Sequence, residues 1–355
     1  MRQINQVGVR FLFSAFMVRF FLTLTLGAIG WVIPPLLPFV VSANAQLPPA
    51  VVDGAKKEGE IVLYGAAVGR ASRPIINLFE KSYGIKVTNW RGDSEDVTNR
   101  GLAEAKSGKI QFDAVLGNDV AMAALERRAL LDSFDPPAAR GFPKHLTHPE
   151  HKMTPWRALP FGMNFNTERL TPDQTPKTWE DLLDPKWKRK FVIANPAVNN
   201  PTLQFLLNLE KLRGVKWLAM VEGLAKQRPR LTRGLPEEIP ILTSGLAPVG
   251  IGYLKDKYQF AAPIDYVRMN RYLASMSFIA VARNAPHPNA ARLFADFFLG
   301  PEPQQIFANL GEYVLHPEVE DRFRSDVTDD QLVAMRVPSP AEQESWSKKF
   351  KEMFK

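Results

Sequence analysis

The stretch that decides the fold is GEIVLYGAAVGRASRPIINLFEKSYGIKVTNW, residues 59–90. Its apolar run from Ile61 to Tyr64 predicts a buried strand. A helix follows, with Ser72 as its N-cap and apolar residues at helical spacing, and Gly84 ends it. Residues 85–90 are predicted to form the next strand. The order strand, helix, strand predicts two parallel strands joined by a crossover helix.

The same pattern repeats along the next part of the chain. Asp93 or Ser94 caps a second helix, residues 112–116 form a third strand, and Asn118 caps the helix after it. Strand starts at 61, 85 and 112 predict a doubly wound α/β sheet. In such sheets the helix N-termini gather at the carboxyl ends of the strands, where their unpaired N–H groups favour anions.

A second set of elements is predicted beyond residue 190. An extended run precedes this second set of elements. The chain is long enough to form more than one hydrophobic core, so two lobes are expected. The predicted elements are a run at 158–165, a strand at 191–194, a helix from Asn200, a strand at 247–253, a strand at 277–282 and a helix from His287.

Residues 1–45 have the pattern of a cleavable signal peptide. Arg2, Arg10 and Arg19 precede an apolar segment, and Ala43-Asn44-Ala45 is typical of a cleavage site. The alternative is a membrane anchor, because no charge occurs from residue 20 to residue 45. Prolines within that segment disfavour a spanning helix. We therefore predict export, with a mature N-terminus near residue 46.

Composition limits the function classes. The 355 residues contain no cysteine, which excludes disulfides, cysteine metal sites and a cysteine lipid anchor, and favours a periplasmic location. The formal net charge is +8, of which the signal peptide carries three basic residues. The remaining basic residues are dispersed in sequence, so nucleic-acid binding is not predicted.

Six stretches together resemble the extracellular solute-binding proteins of ABC importers, in the group that includes ferric-iron receptors. They occur in the order typical of that family: GEIVLYGA (59–66), INLFEKSYGIKV (76–87), FDAVLG (112–117), PKTWEDLLDPKWKRKF (176–191), TSGLAPVGIGY (243–253) and APHPNAARLFADFFLGPEPQQIFANLG (285–311).

The resemblance implies the bilobal type II periplasmic-binding-protein fold, in which two doubly wound α/β lobes are joined by hinge strands. Lobe 1 would comprise residues 46–159 and 268–355, and lobe 2 residues 160–267. The crossings would be Ala158–Asn166 and Ala262–Met269. The last helix, residues 340–354, could pack on either lobe.

The stretch PKTWEDLLDPKWKRKF has two interpretations. Its basic residues and tryptophans could bind nucleic acid or a membrane. The other interpretation is structural: Thr178 and Asp181 form a capping box, Trp179 and Trp187 pack inward, and Lys186–Lys190 are solvated. The similar family segment leads into the second lobe, which favours the structural interpretation.

Candidate ligand residues follow strands or lie in the predicted hinges, where a cleft between lobes would meet them. Arg70 could bind a carboxylate or phosphate, although a simple surface position is equally consistent with its place in sequence. Trp90 could equally be the edge of the core. The candidates are Tyr64, Arg70, Trp90, Arg91 and Asn118 in lobe 1, Asn195, Asn199 and Tyr253 in lobe 2, and Phe161, Asn164 and Asp265 in the hinges.

Ferric iron is the alternative ligand. Iron receptors of the family place adjacent tyrosines after the strand that corresponds to residues 248–252, whereas this chain has Tyr253-Leu254 and its next tyrosine is Tyr258. The phenolate pair that suits Fe(III) is therefore incomplete. A second potential metal site, the histidine-rich loop at residues 145–151, is interrupted by Pro149 and matches no zinc spacing.

Enzymatic motifs do not support catalysis. The chain lacks G-x-S-x-G and H-E-x-x-H, and Gly250 and Gly252 form only half of a dinucleotide fingerprint. A related bilobal enzyme that builds tetrapyrroles holds its cofactor on cysteine, which is absent here. We therefore predict a monomeric receptor without catalytic activity or cofactor. It would bind a small solute, an organic or phosphorylated anion, and deliver it to the membrane permease of an ABC importer.

Overall fold

The computed structural model describes residues 46–65 and 69–355. The predicted signal peptide lies outside the described residues. The strands are β1 (Glu60–Gly65), β2 (Lys86–Arg91), β3 (Ala114–Asn118), β4 (Thr154–Asn166), β5 (Phe191–Ala194), β6 (Arg230–Thr232), β7 (Val249–Tyr253), β8 (Ile264–Tyr266), β9 (Tyr272–Val281), β10 (Tyr313–Val314) and β11 (Leu332–Ala334).

Helices connect these strands and cover the sheet. They are α1 (Pro49–Glu58), α2 (Gly69–Tyr83), α3 (Ser94–Lys106), α4 (Asp119–Arg127), α5 (Asn200–Asn208), α6 (Glu210–Arg213), α7 (Trp217–Lys226), α8 (Glu238–Thr243), α9 (Asp256–Gln259), α10 (Pro288–Leu299), α11 (Pro301–Asn309) and α12 (Pro340–Met353). None of the helices within the described ranges is long and apolar enough to cross a membrane.

The first three strands pair as the sequence predicts. β1 pairs in parallel with both β2 and β3. Asp93 caps α3 and Asn118 caps α4, and Gly84 follows α2 with φ of 71°, a conformation that favours glycine. The start of α2 was predicted wrongly: the helix begins at Gly69, before the predicted N-cap Ser72, which lies inside it.

β4 joins two halves of the sheet. Its first half, Thr154 to Pro160, pairs antiparallel with β9, and its second half pairs antiparallel with β7 and β8. The strand order is β2-β1-β3-β9-β4-β7-β5-β6. The predicted first crossing thus lies within β4, and the predicted second crossing contains β8. The antiparallel pairing arises because the chain returns through β9 between β3 and β4.

Two large apolar clusters lie beneath these halves. One is built from α2, α10, α11 and the strands around β1, and the other from α5, α7, β5 and β7. α12 packs on the second cluster, since Phe350 and Phe354 are buried within it and Trp346 contacts Trp217. This answers the question of where the last helix packs. The lobe boundaries themselves remain a prediction.

The stretch PKTWEDLLDPKWKRKF is structural in its apolar part. The Thr178 amide donates to Asp181 Oδ2 over 3.0 Å, and the Asp181 amide donates to Thr178 Oγ1 over 3.3 Å. This is the predicted capping box. Trp179 and Trp187 are both buried, so their predicted packing role is confirmed.

Candidate functional site

A cavity of about 660 Å³ lies where elements of the two halves meet. Its wall contains the starts of α3, α4 and α5, the end of β7, and side chains from β4 and β9. This volume is in the range of small-molecule sites. Most of the lining side chains that can form hydrogen bonds are neutral: Ser94, Thr98, Asn99, Asn118, Asn200, Gln204, Tyr253, Ser275 and Ser277.

Three helix N-termini converge on the cavity. Asp93 Oδ1 accepts the amides of Glu95 and Asp96, each over 2.9 Å, at the start of α3. Asn118 Oδ1 accepts one amide at the start of α4. Asn199 Oδ1 does the same at the start of α5. The caps and Asp119 Oδ1 satisfy most of the first-turn N–H groups, and Pro201 in α5 has none. What the three helices direct at the cavity is therefore mainly the positive ends of their dipoles.

Asp119 is a buried carboxyl at the cavity wall. Its Oδ2 accepts a hydrogen bond from Gln204 Nε2 over 2.7 Å, and its Oδ1 accepts the Val120 amide over 2.9 Å. Burial raises the pKa of Asp119 to about 6, although the bonds from Gln204 and Val120 oppose that rise. Gln204 belongs to α5, so this bond connects two sides of the cavity.

Arg157 is the one lysine or arginine among the described residues that line the cavity. Its Nε donates to Ser277 Oγ over 3.0 Å, and its guanidinium lies over the Trp156 ring at 4.7 Å. Nη1 lies 2.8 Å from Glu312 Oε2. These contacts from three directions hold a planar cation at the cavity wall.

Glu312 forms the centre of a buried charge network behind Arg157. Its Oε1 lies 3.5 Å from Lys255 Nζ and accepts Gln259 Nε2 over 2.9 Å. Burial raises the pKa of Glu312, but Arg157 and Lys255 outweigh it, so the pKa is lower than usual. Burial lowers the pKa of Lys255. Glu312 therefore provides a negative counter-charge beside Arg157.

Tyr253 ends β7 at the cavity. Its ring packs on Phe161, with centroids 4.5 Å apart. Burial raises the pKa of the Tyr253 hydroxyl, and the neighbouring Asp119 and Asp256 add to the rise, whereas Ser275 and Arg157 oppose it. Tyr253 is therefore a neutral phenol at physiological pH and can donate or accept a hydrogen bond.

Residues 110–330 match the family of bacterial extracellular solute-binding proteins. The chain belongs to this family. The resemblance seen in the sequence is thereby confirmed: the protein is a bacterial extracellular solute-binding protein. The α/β fold assigned from the sequence is also confirmed.

Related proteins align with most of the chain. An uncharacterized protein of Haemophilus influenzae is 25% identical over 281 residues, which is 74% of this chain and 79% of that protein. The fold is similar to the periplasmic binding protein AfuA of Actinobacillus pleuropneumoniae with fructose-6-phosphate bound, at 21% identity and a TM-score of 0.62, covering 83% and 96% of the two chains. Iron-bound HitA of Pseudomonas aeruginosa has 17% identity and a TM-score of 0.63, covering 83% and 98%.

Two of the predicted ligand residues, Asn118 and Tyr253, line the cavity of this solute-binding protein. Asn199 lies beside it as the cap of α5. Asn195 lies at the end of β5, where its Oδ1 accepts the Ala197 amide. All four residues end or follow strands, as was predicted for ligand residues.

Three other predicted residues are buried outside the cavity wall. The Tyr64 hydroxyl donates to Glu104 Oε1 over 2.5 Å, and its ring packs on Phe112. Phe161 stacks on Phe205 at 4.9 Å. Asn164 Nδ2 donates to the Tyr253 carbonyl oxygen. In this structure all three act as packing or backbone-binding residues.

The last four predicted residues occupy other environments. Trp90 packs beneath the Arg100 guanidinium at 4.7 Å. Arg70 and Arg91 are exposed and do not line the cavity. Asp265 pairs with Arg268 Nη1 at 2.5 Å and with Lys257 at 3.0 Å. Asp265 therefore belongs to a surface ion network.

Four residues that line the cavity were not predicted from the sequence: Arg157, Gln204, Ser275 and Ser277. Arg157 and the two serines lie inside strands, and Gln204 lies in the second turn of α5. The predicted ligand residues were confined to the ends of strands, the starts of helices and the predicted hinges. Alternating polar residues in the otherwise apolar run 272–281 were the available signal.

The histidine-rich loop does not gather its side chains. His148 Nε2 lies 3.1 Å from Glu126, His151 Nδ1 lies 3.3 Å from Asp135, and His145 Nε2 contacts the Asp329 carbonyl oxygen. Across residues 46–65 and 69–355, no group of three or more histidine, aspartate or glutamate residues is arranged to hold a metal ion.

Proposed function

We propose that this receptor captures a small organic or phosphorylated anion in the cavity and delivers it to the permease of an ABC importer. The observation that carries the proposal is the convergence of three helix N-termini and Arg157 on one cavity. Family membership supports the delivery step. Export through a cleaved signal peptide, a periplasmic location and a monomeric state belong to the same proposal.

Three carboxyl groups, those of Asp93, Glu95 and Asp119, also line the cavity and oppose its positive potential. Asp93 accepts two amides of its own helix. Asp119 has a raised pKa, so part of its population is neutral in mildly acidic solution. The sugar phosphate bound to AfuA, a protein of similar fold, is a solute of the proposed class.

The test begins with mass spectrometry of the solute that co-purifies with the protein. For an anion identified in this way, Arg157→Gln should lower affinity about 10- to 100-fold, the effect of losing one charge-assisted hydrogen bond. The matched control is Arg70→Gln, which removes an exposed arginine outside the cavity. Loss of affinity in the control but not in Arg157→Gln would contradict the assignment of Arg157.

Ferric iron remains the second candidate because Tyr253 and Asp119 both reach the cavity. Phenolate and carboxylate oxygens suit Fe(III). The raised pKa of Tyr253 opposes this function, since iron would have to displace a tightly held proton. Adding ferric salt should produce a charge-transfer colour that Tyr253→Phe abolishes. A colourless solution would exclude ferric iron as the ligand.

A further inference from the structure

Six exposed basic residues form one surface, here named the basic face. Two segments contribute to it, one just before β5 and one from the last residue of α7 to the first residue of β6. Their backbones are joined by a hydrogen bond from the Arg189 amide to the Gln227 carbonyl oxygen, and β5 pairs in parallel with β6. The six residues are Lys188, Arg189, Lys190, Lys226, Arg228 and Arg230.

The basic face is not neutralised by neighbouring acids. Among the described residues, no carboxylate lies within ion-pair distance of any of its six cations. Glu222 lies one turn before Lys226 on α7 and also forms no ion pair with it. Like charges that cluster without counter-ions repel one another, and this cost is relieved when an anionic surface approaches.

The backbone of the basic face is strained at two positions. Arg189 and Arg228 have φ of 60° and 54°, in the left-handed region that arginine rarely adopts. Glycine or asparagine would occupy such turns at lower cost. The chain thus holds two arginines in unfavourable conformations on the same surface, a pattern that is typical of functional positions.

An exposed leucine lies at the margin of the basic face. This residue, Leu246, is 58% exposed. Arg230 Nε donates to the Leu246 carbonyl oxygen over 3.2 Å, which places this leucine next to the cations. Exposed cations flanked by an aliphatic side chain match a lipid surface, where phosphates lie above an acyl layer.

We propose that the basic face docks on an anionic phospholipid surface. A single-stranded nucleic acid fits less well because the nearby Trp187 is buried and cannot stack on bases. The face lies at the start of β5, whereas the helix that follows the end of β5 begins at the cavity. The proposal is independent of the identity of the solute.

The test is vesicle flotation with the full chain. One vesicle preparation is phosphatidylcholine alone, and the other contains a quarter phosphatidylglycerol. The parent protein should bind the anionic vesicles more strongly, and high salt should abolish the difference because it screens charge. Replacing Lys188, Lys190 and Lys226 by glutamine should lower the anionic-vesicle partition about 100-fold, since each basic residue near such a surface contributes about fivefold.

The matched control replaces Lys56, Lys57 and Lys81 by glutamine. These lysines are exposed, have no ion pair among the described residues, and lie on α1 and α2. The control removes the same charge and should retain binding, and any contribution of the N-terminal segment is common to all three proteins. Circular dichroism melts confirm that the variants fold.

Three results would overturn the proposal. The first is equal binding of the parent to both vesicle preparations. The second is equal loss in the control and the basic-face variant, which would indicate a net-charge effect. The third is binding of the basic face to poly-glutamate or to RNA but not to vesicles, which would assign the surface to an acidic protein or to nucleic acid.

Discussion

Asp119 couples protonation to the packing of the cavity. The side chain is 7% exposed and accepts hydrogen bonds from α5 and from its own helix. An ordinary aspartate has a pKa of 3.8, whereas burial raises that of Asp119 to about 6. In the interval between these two values the folded protein holds a proton that the unfolded chain has lost.

Asp119→Asn should therefore flatten the pH dependence of stability. Because the folded state binds more protons between pH 3.8 and about 6, the unfolding free energy of the parent falls as pH rises through this interval. The expected loss is about 2 kcal/mol, on the scale of 1.4 kcal/mol per pKa unit. Urea unfolding at pH 4 and pH 7 measures it. An unchanged slope in Asp119→Asn would show that another group titrates.

Tyr64→Phe tests whether the predicted ligand residue Tyr64 is structural. Its hydroxyl donates to Glu104, which also accepts Arg100 Nε and the Gln111 amide. The variant should lose about 1 kcal/mol of unfolding free energy, the usual net contribution of one hydrogen bond, and should keep full solute affinity.

Tyr83→Phe is the matched control, because the Tyr83 hydroxyl forms no hydrogen bond within the described ranges. Its unfolding free energy should remain within about 0.5 kcal/mol of the parent. If solute affinity falls with Tyr64→Phe but not with Tyr83→Phe, Tyr64 contributes to solute binding.

α12 is an element whose role depends on partners distant in sequence. Its Ser347 hydroxyl donates to the Ala197 carbonyl oxygen over 2.6 Å, and Phe350 is fully buried against the second apolar cluster. The segment before it is held as well, since the Arg336 amide donates to Asn208 Oδ1 and Asn208 Nδ2 donates back to the Arg336 carbonyl oxygen. The C-terminal segment thus closes the core around α5.

Phe350→Ala should destabilise the protein by about 3 to 4 kcal/mol, because a buried phenyl ring is replaced by a cavity. Lys351→Ala, at the neighbouring exposed position, should change stability by less than about 0.5 kcal/mol. Chemical denaturation measures both. Similar stabilities for the two variants would mean that α12 is not part of the cooperative core.

At the scale of the whole molecule, the hydrogen bond between Asp119 and Gln204 joins the two sides of the cavity. β4 and the short β8 also pass between the regions of the two apolar clusters. Strands that continue from one region to the next can act as hinges, and a side-chain bond across the cavity favours the closed arrangement. A solute binding at the same place would favour it further.

Gln204→Ala should shift the solute-free protein towards an open form. The expected result in small-angle scattering is a larger radius of gyration than in the parent, which saturating solute restores. Gln305→Ala on α11, where the amide bonds Asn309 and the Glu320 carbonyl oxygen, should leave scattering unchanged. Identical scattering curves for Gln204→Ala and the parent would show that the hydrogen bond between Gln204 and Asp119 does not determine closure.

The sequence by itself determined the local elements and the family. Apolar periodicity located β1, β2 and β3, caps such as Asp93 and Asn118 located the helices after them, and parallel pairing followed from their order, because all of these depend on neighbours within about one supersecondary unit. Asn118 and Tyr253, which line the cavity, were predicted as ligand residues because sheets of this kind bind ligands at the carboxyl ends of their strands.

Only the tertiary structure decided which side chains face the cavity. Arg157 and Gln204 meet Glu312 and Asp119 across more than 80 residues of chain, and no local pattern specifies such a pairing. Tyr64 ends a strand as Tyr253 does, and Phe161 lies in a predicted hinge, but both are buried in the core. The physical reason is that the face of a strand that becomes solvent or core is set by what packs on it, and those partners arrive from distant parts of the chain.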